Sequence, residues 1–313
     1  MEIVRDIEST AQERLPVASA SVALGLFDGL HPGHAAVIGA AVQAGKQRGL
    51  TPCVFTFTRQ GGTPTDKEQG ALLSDEQFYA TLADWGVARV VRPDFAAFRD
   101  LTPEEFVRQV LLNTMGAGAV FCGSNFRFGK NAAGDAALLA ELCTPHATVQ
   151  VVPMVEQDGA AISTTRIKML LKEGKMEEAN RLWGRCFAID FTVTKGRALG
   201  RTIGFPTINQ PFPQGFCQPR YGVYATAVTV AGTRYAGVTN VGVKPTVGSD
   251  AVLAETFISG FSGNLYGQNV LVEFLHFLRP EQKFDSVDAL QQQILRDSAE
   301  AIAWVHNAEG NIK

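Results

Sequence analysis

The first half of the chain alternates short apolar runs with segments of helical periodicity. Residues 21–27 form an apolar run that predicts a strand, and the spacing of apolar positions from Gly33 to about Arg48 predicts a helix. The alternation continues to residue 155. Further strands are predicted at 52–57, 88–92, 118–123 and 147–155, and further helices at 75–86, 102–116 and 133–143. This order predicts a parallel sheet with helices on both faces.

The second half has a different pattern. Residues 163–183 predict a pair of short helices, and from Cys186 to about Leu278 the helical period gives way to alternating apolar and polar positions separated by turn residues. Such segments are typical of a small antiparallel β-barrel. One long amphipathic helix is predicted at 286–308. We therefore predict an α/β parallel-sheet domain at 1–183 and a small antiparallel β-barrel domain with a C-terminal helix at 184–313.

Composition agrees with two globular domains. The chain has 313 residues, of which 46% are hydrophobic and 19% charged, and its formal charge is −3. No global basic field is present to attract nucleic acid. The N-terminus lacks the apolar core of a signal peptide, and no apolar run has the length of a membrane span. With five cysteines and no C-x-x-C spacing, we expect buried thiols, a cytoplasmic location, and no nucleic-acid or membrane partner.

Two histidines lie in a glycine-containing turn after the first predicted strand. The segment from Gly25 to His34 reads GLFDGLHPGH, and Pro32 suits the first position of a helix. Because His31 and His34 are three residues apart, both should project near the helix N-terminus, where a phosphate is favoured. Two surface histidines in an ordinary turn are the simpler interpretation of H-x-x-H alone. A zinc site would need a further ligand, and the other histidines lie far away in the sequence.

Two later segments add candidate phosphate contacts. The run GSNFRFGK begins at Gly123, but its glycine spacing is one residue too long for a Walker A loop, and Asn131 stands where Ser or Thr is required. The run ISTTRI at 162–167 stands at a predicted helix start, where Ser163 would also serve as an ordinary N-cap.

A glycine-rich stretch precedes the barrel strands. Three glycines and three cations fall between Lys195 and Asn209, a density that lets backbone N–H groups wrap a phosphate. Thr207 and Asn209 carry oxygen ligands, and in an extended segment they would share one face and hold Mg²⁺ together with ATP phosphates. A glycine-rich hairpin connection, with Pro206 ending a strand, is the alternative.

Together these motifs resemble those of the two-domain bacterial riboflavin kinase/FAD synthetase family. The string G-x-F-D-G-x-H-x-G-H resembles the start of the H-x-G-H nucleotidylyltransferases in their flavin-adenylylating branch, and the segments at 123–135 and 162–167 resemble the second and third motifs of that domain. The string G-R-x-x-G-F-P-T-x-N, from Gly200 to Asn209, resembles the phosphate and magnesium motif of riboflavin kinases. Downstream matches follow at 221–224, 240–246, 265–267 and 277–284.

The resemblance implies two ATP-dependent transfers, riboflavin to FMN in the barrel and FMN to FAD in the N-terminal domain. It implies Mg²⁺ at Thr207 and Asn209, and charge stabilisation by His31 and His34. Glu255, the acid inside the strand-like run AETFISGF, is implied as the general base of the kinase, although an isolated strand Glu is more commonly a solvated residue. The residues implied to contact nucleotide or phosphate are Gly25, Phe27, Asp28, Gly29, Gly33, Asn125, Ser163, Thr164, Thr165, Arg166, Gly200, Arg201, Gly204, Phe205 and Pro206.

One loop departs from the family. Its members usually carry a histidine–proline pair after the second strand, where this chain reads TRQGGTP from Thr58 to Pro64. Arg59 is a candidate replacement for the missing positive charge. Two alternatives therefore remain: a riboflavin kinase with impaired or lost adenylylation, and a flavin-binding regulator without catalysis.

Overall fold

The structure, a computed structural model, describes residues 1–5, 15–58, 70–196, 200, 203–246 and 249–310. The chain forms two compact units. The first combines Met1–Lys67 with Asp75–Ser163, and the second combines Glu68–Ser74 with Thr164–Lys313. The predicted helical pair thus belongs to the second unit, although the sequence placed it in the first domain. The domain boundary at 183/184 stays a prediction.

A six-stranded sheet organises the first unit. Its strands are β1 (Glu2–Val4), β2 (Ala20–Leu24), β3 (Thr51–Phe55), β4 (Arg89–Val91), β5 (Ala117–Gly123) and β8 (Thr148–Val152). Their order is β1-β4-β3-β2-β5-β8, and every neighbouring pair is parallel. Two short hairpins join β6 (Arg127–Phe128) to β7 (Gly134–Asp135) and β9 (Glu156–Gln157) to β10 (Ala160–Ala161).

The helices of the first unit lie close to the segments that the sequence predicted to be helical. They are α1 (Pro32–Arg48), α2 (Asp75–Asp84), α3 (Pro103–Glu105), which continues as a π-helix (Phe106–Thr114), and α4 (Ala136–Cys143), with short 3₁₀ turns at Phe95–Ala97 and Lys130–Ala132. Thr102 caps α3: its hydroxyl accepts from the Glu105 N–H at 3.2 Å, and the Glu105 carboxylate accepts from the Thr102 N–H at 2.9 Å.

Both faces of this sheet are covered, which confirms the predicted α/β class. All five residues of β2 are buried, as expected for a central parallel strand. Ala20, Val22 and Leu24 belong to a core that includes the π-helix, whereas α1 approaches the opposite face closely at Ser21. Cys53 is buried in this sheet, and burial raises the pKa of its thiol to about 12.

An antiparallel sheet forms the second unit. Its strands, in spatial order, are β11 (Phe187–Ile189), β16 (Leu271–Arg279), β13 (Gly222–Val230), β14 (Thr233–Thr246), β15 (Ser249–Ile258) and β12 (Thr207–Pro211). The segment after β11 joins the two edges, because the Thr194 N–H donates to the Asn209 carbonyl of β12 at 2.8 Å. Gln210 adds side-chain bonds of 2.7 Å to the Phe191 and Val270 carbonyls. The sheet thereby curls into the predicted barrel.

Three helices accompany the barrel: α5 (Thr164–Glu173), α6 (Met176–Trp183) and the C-terminal α7 (Val287–Gly310). Asn180 of α6 ties two strands, since its amide donates to the Phe274 carbonyl and accepts from the Phe187 N–H, both at 2.8 Å. Helix α7 packs on β13 and β14, and its buried Asp297 accepts from Arg279 at 2.8 Å.

Candidate active sites

The first candidate site lies at a switch point of the parallel sheet. After β2 the chain continues to β3 on one side, whereas β5 pairs with the other side of β2. In open α/β sheets, ligands bind at the carboxyl ends of the strands at such a point. The turn that carries His31 and His34 follows the end of β2, and Asn125 follows the end of β5. Two of the predicted motifs therefore meet at one edge of the sheet.

The turn after β2 is held by burial in an unusual backbone conformation. Phe27 and Leu30 have φ values of 49° and 44°, and their side chains are 1% and 2% exposed. Left-handed backbone at residues with large side chains is costly and persists where the surroundings fix it. The Thr56 hydroxyl, at the end of β3, donates to the Leu26 carbonyl and fixes the same turn.

The two imidazoles are stacked at the start of α1. Their ring centroids lie 3.7 Å apart at an interplanar angle of 22°, and the Phe27 ring meets His34 edge-on. His31 caps the helix, because its Nδ1 accepts from the His34 N–H at 3.4 Å. An accepting Nδ1 places the proton of the neutral imidazole on Nε2, which makes Nε2 the donor available to a phosphate.

Burial favours the neutral form of both histidines. Burial lowers the pKa of His31, and the nearby Asp28 carboxylate opposes that effect. Burial lowers the pKa of His34 well below 6.5, and proximity to His31 lowers it further. The site thus offers neutral N–H donors beside the positive end of a helix dipole, which suits an incoming polyphosphate.

Acid is expected to destabilise the fold through His34. The ordinary pKa of histidine is about 6.5. Below that pH, His34 binds a proton in the unfolded chain but stays neutral in the folded one, so its contribution lowers the free energy of unfolding as the pH falls. Above that pH it vanishes. Thermal midpoints measured from pH 5 to 8 should fall more steeply towards acid in the parent than in His34→Gln. Equal slopes would contradict the assignment.

The remaining first-site residues fall into two groups. Gly25, Asp28 and Gly29 belong to the turn itself, and Gly33 is the second residue of α1; a Cβ on Gly25 would lie 2.7 Å from the Phe27 ring. Ser163 precedes α5, and Thr164, Thr165 and Arg166 form its first turn. This third motif lies where the chain passes from the first unit to the second. Arg59 and the rest of the divergent loop up to Pro64 lie outside the described residues.

The second candidate site is a row of polar side chains across three barrel strands. Asn209 of β12 lies directly opposite Glu255 of β15, and Glu255 lies directly opposite Asn240 of β14. Directly opposed residues share a face, so all three project from one side of the sheet. The segment Thr207–Pro211 is extended, as the metal-site interpretation requires, and Thr207 shares that face two residues before Asn209.

The glycine-rich loop ends beside this row. The Gly200 carbonyl accepts from the Phe205 N–H at 2.8 Å, and a Cβ on Gly200 would lie 2.2 Å from the Phe205 carbonyl oxygen. The Phe205 ring packs edge-on against Phe257 at 5.2 Å, and the exposed Pro206 leads into β12. The 6% exposed Asn209 lies over Gly196. Arg201 lies outside the described residues.

Comparisons with known proteins cover both units. Residues 16–166 match the family model for FAD synthetase, and residues 183–305 match the family model for riboflavin kinase. A bifunctional riboflavin kinase/FMN adenylyltransferase from Listeria monocytogenes is 32% identical over 293 residues, which cover 92% of this chain and 93% of that relative. The protein of the same name from Escherichia coli K12 is 32% identical over 306 residues, covering 96% and 97%.

The chain belongs to the bifunctional riboflavin kinase/FMN adenylyltransferase family. The family that the motifs resembled is thereby confirmed, as is the enzyme class of an ATP-using transferase. A crystal structure described as a macrolide-efflux protein from Streptococcus pneumoniae has a TM-score of 0.85 and 28% identity, and covers 96% of this chain and 98% of that one. Nothing in these comparisons supports the alternatives of a lost adenylyltransferase or a non-catalytic regulator.

Lys244 is the contact that sequence reasoning missed in this bifunctional enzyme. Its Nζ lies 2.6 Å from Glu255 Oε2. On the same face, the Asn240 amide donates to Glu281 Oε1 at 2.9 Å. Lys244 and Glu281 stand in downstream stretches that match the family, but only the strand register brings them to this row.

In the described part of the chain, no group of three or more His, Cys, Asp or Glu side chains could hold a metal ion. Over the same residues, no helix is long and apolar enough to cross a bilayer.

Substitution of Gly200 is expected to impair the kinase selectively. Gly200→Ala would place a methyl group against the Phe205 carbonyl and displace the chain that leads into Thr207 and Asn209. We expect at least ~10-fold slower FMN formation, because small displacements of positioning groups cost up to ~10²-fold. Gly39→Ala, where a Cβ meets nothing within 4 Å, is the matched control. Equal rates in both variants would show that the loop tolerates the change.

Proposed function

We propose that the second unit phosphorylates riboflavin to FMN, that the first unit adenylylates FMN to FAD, and that ATP is the donor in both steps. The observation that carries this proposal is the separate match of each half to one of the two family models. The polar row on the barrel and the stacked histidines at the switch point are the candidate sites for the two reactions.

In the kinase step, the 5′-hydroxyl oxygen of riboflavin bonds to the γ-phosphorus of ATP while the bond to ADP breaks. Glu255 accepts the hydroxyl proton. Asn209 lies directly opposite Glu255 and holds the ATP phosphates beside that base. The residues proposed for the phosphate loop are Gly200, Gly204, Phe205 and Pro206, with Arg201.

We further propose that Mg²⁺ accompanies ATP at Thr207 and Asn209. Both offer oxygen atoms on one face, and Mg²⁺ is commonly held by few protein ligands together with substrate phosphates. Bound there, the ion would neutralise charge on the phosphates. These two oxygen ligands fit an ion that is held largely by the phosphates of ATP better than an ion that is held by protein ligands alone.

In the adenylylation step, an oxygen of the FMN phosphate bonds to the α-phosphorus of ATP, and pyrophosphate leaves. An ionised phosphate needs no general base, so positioning and electrostatics supply most of the catalysis. His31 donates from Nε2, His34 lies stacked beside it, and Asn125 positions phosphates. A phosphate contact by Arg166 stays a prediction from the resemblance. A cytoplasmic location stays a prediction, with which the five free cysteines agree.

A fragment of residues 164–313 is expected to phosphorylate riboflavin and to form no FAD. A fragment of residues 184–313 should melt at a lower temperature, because it loses Asn180 and the buried Trp183. Thermal unfolding and chromatographic separation of flavins measure both properties. A 164–313 fragment that unfolds cooperatively but makes no FMN would contradict the separation of the two activities.

A further inference from the structure

The end of the β14–β15 hairpin extends beyond its neighbouring strands. Strand β13 pairs with β14 only as far as Val241, and β12 pairs with β15 only from Leu253. Apart from one bond from the Phe212 N–H to the Val252 carbonyl at 2.9 Å, residues 242–246 and 249–252 pair with each other as a two-stranded ribbon. Lys244 lies on this ribbon, four residues beyond Asn240 and hence on the same face as Glu255.

The side chain of Lys244 reaches back along that face to the proposed base. The residue between Asn240 and Lys244 on this face is Gly242, and the Glu281 carboxylate lies over it, 2.4 Å from where a Cβ would be. Lys244 Nζ lies 2.6 Å from Glu255 Oε2, slightly closer than the ~2.7–2.9 Å usual for charge-assisted N–H···O bonds. The two side chains are 46% and 26% exposed, and ion pairs this accessible contribute little to folding stability. A contribution to folding stability therefore explains this contact poorly.

We propose that Lys244 is a positioning residue of the kinase reaction. The ammonium group engages Oε2 and so orients the carboxylate, which leaves Oε1 as the oxygen that receives the proton from the riboflavin 5′-hydroxyl. Lys244 contacts neither riboflavin nor ATP in this proposal and acts through Glu255. The inference rests on the proposed role of Glu255 as the base.

Single variants of the full-length protein provide the first test. Lys244→Met removes the cation and keeps most of the side-chain length. We expect kinase turnover to fall ~10- to 100-fold while the Michaelis constants for riboflavin and Mg-ATP change less than about threefold, because orientation of the base affects the chemical step. Lys244→Arg, which keeps the cation, should restore turnover to within a few-fold of the parent. Lys175→Met removes an exposed lysine paired with Glu173 at 2.9 Å and should leave turnover unchanged.

A double-mutant cycle with Glu255→Gln separates positioning from a direct phosphate contact. If Lys244 acts only through the base, Lys244→Met should cost less than about twofold once Glu255 is replaced. The same loss in both backgrounds would overturn the proposal and assign Lys244 to the phosphates or to the fold. Unchanged turnover in Lys244→Met would overturn it as well.

The outcomes also separate this proposal from the function on which it rests. If Glu255→Gln is slow and Lys244→Met is not, only the positioning role fails. If Glu255→Gln itself keeps full turnover, the base assignment fails and the role of Lys244 with it. A parent protein that forms no FMN would contradict the proposed kinase.

Discussion

Replacement of His31 and His34 by alanine together is expected to abolish FAD formation from FMN and to leave FMN formation from riboflavin nearly unchanged. Loss of one preorganised donor to a transition-state oxyanion typically costs ~10²–10³ in rate. The stacked pair acts as one group, in which Nε2 of His31 is the donor and His34 packs against the Phe27 ring. The double variant should therefore lose about as much of the rate of FAD formation as the more damaging single variant.

Two further variants distinguish catalysis from helix capping. His31 caps α1, so alanine also removes a cap worth ~1 kcal/mol. His31→Asn keeps a good cap but lacks the imidazole donor, and it should remain inactive in FAD formation. The exposed His146 of the same unit offers the matched control, because His146→Ala should keep the parent rate. Normal FAD synthesis in His31→Asn would reduce His31 to a structural residue.

Replacement of Glu255 by glutamine is expected to lower kinase turnover by ~10²–10⁴, the usual contribution of a general base. The substrates should still bind, because Gln keeps the shape and hydrogen-bonding reach of the side chain. The ion pair with Lys244 is partly exposed, so its loss should change stability by only ~0–1 kcal/mol. FMN supplied directly should still be adenylylated at the parent rate, because that reaction takes place in the other unit.

A second glutamate of the barrel provides a control for this prediction. Glu273 of β16 is 25% exposed and pairs with Arg234 at 3.1 Å, much as Glu255 pairs with Lys244. Glu273→Gln should keep turnover within a few-fold of the parent at saturating substrates. If Glu255→Gln does the same, the base lies elsewhere. If both variants lose turnover and thermal midpoint together, Glu255 is a structural residue.

Local sequence signals predicted most of the regular structure. Strong periodicity and end signals placed α1, α3 and α7, because helix caps and amphipathic stripes depend on near neighbours in the chain. The sequence left open whether β12 is a strand, because five residues next to turn residues show little hydrophobic alternation. The short edge strand β1 and the small hairpins were missed for the same reason. The π-helical turns at 106–114 have the same apolar stripe as an α-helix, so the pattern could not distinguish them.

The tertiary relations could not be read from local patterns. An amphipathic face in α5 and α6 shows that these helices bury one side, but not which core receives it, and the structure groups them with the barrel. Likewise, two separate motifs indicated Asn209 and Glu255 as candidate residues. Their direct opposition, and the approach of Lys244 to the same carboxylate, follow from strand register, which long-range pairing determines.

The most direct test of the account is a time course with the purified full-length protein, riboflavin and Mg-ATP, in which riboflavin, FMN and FAD are separated and quantified. FMN should appear first and FAD should follow, FMN supplied alone should be converted to FAD, and excess EDTA should stop the kinase step. Riboflavin that remains unphosphorylated, or FMN that accumulates without any FAD, would contradict the assignment of two activities to this chain.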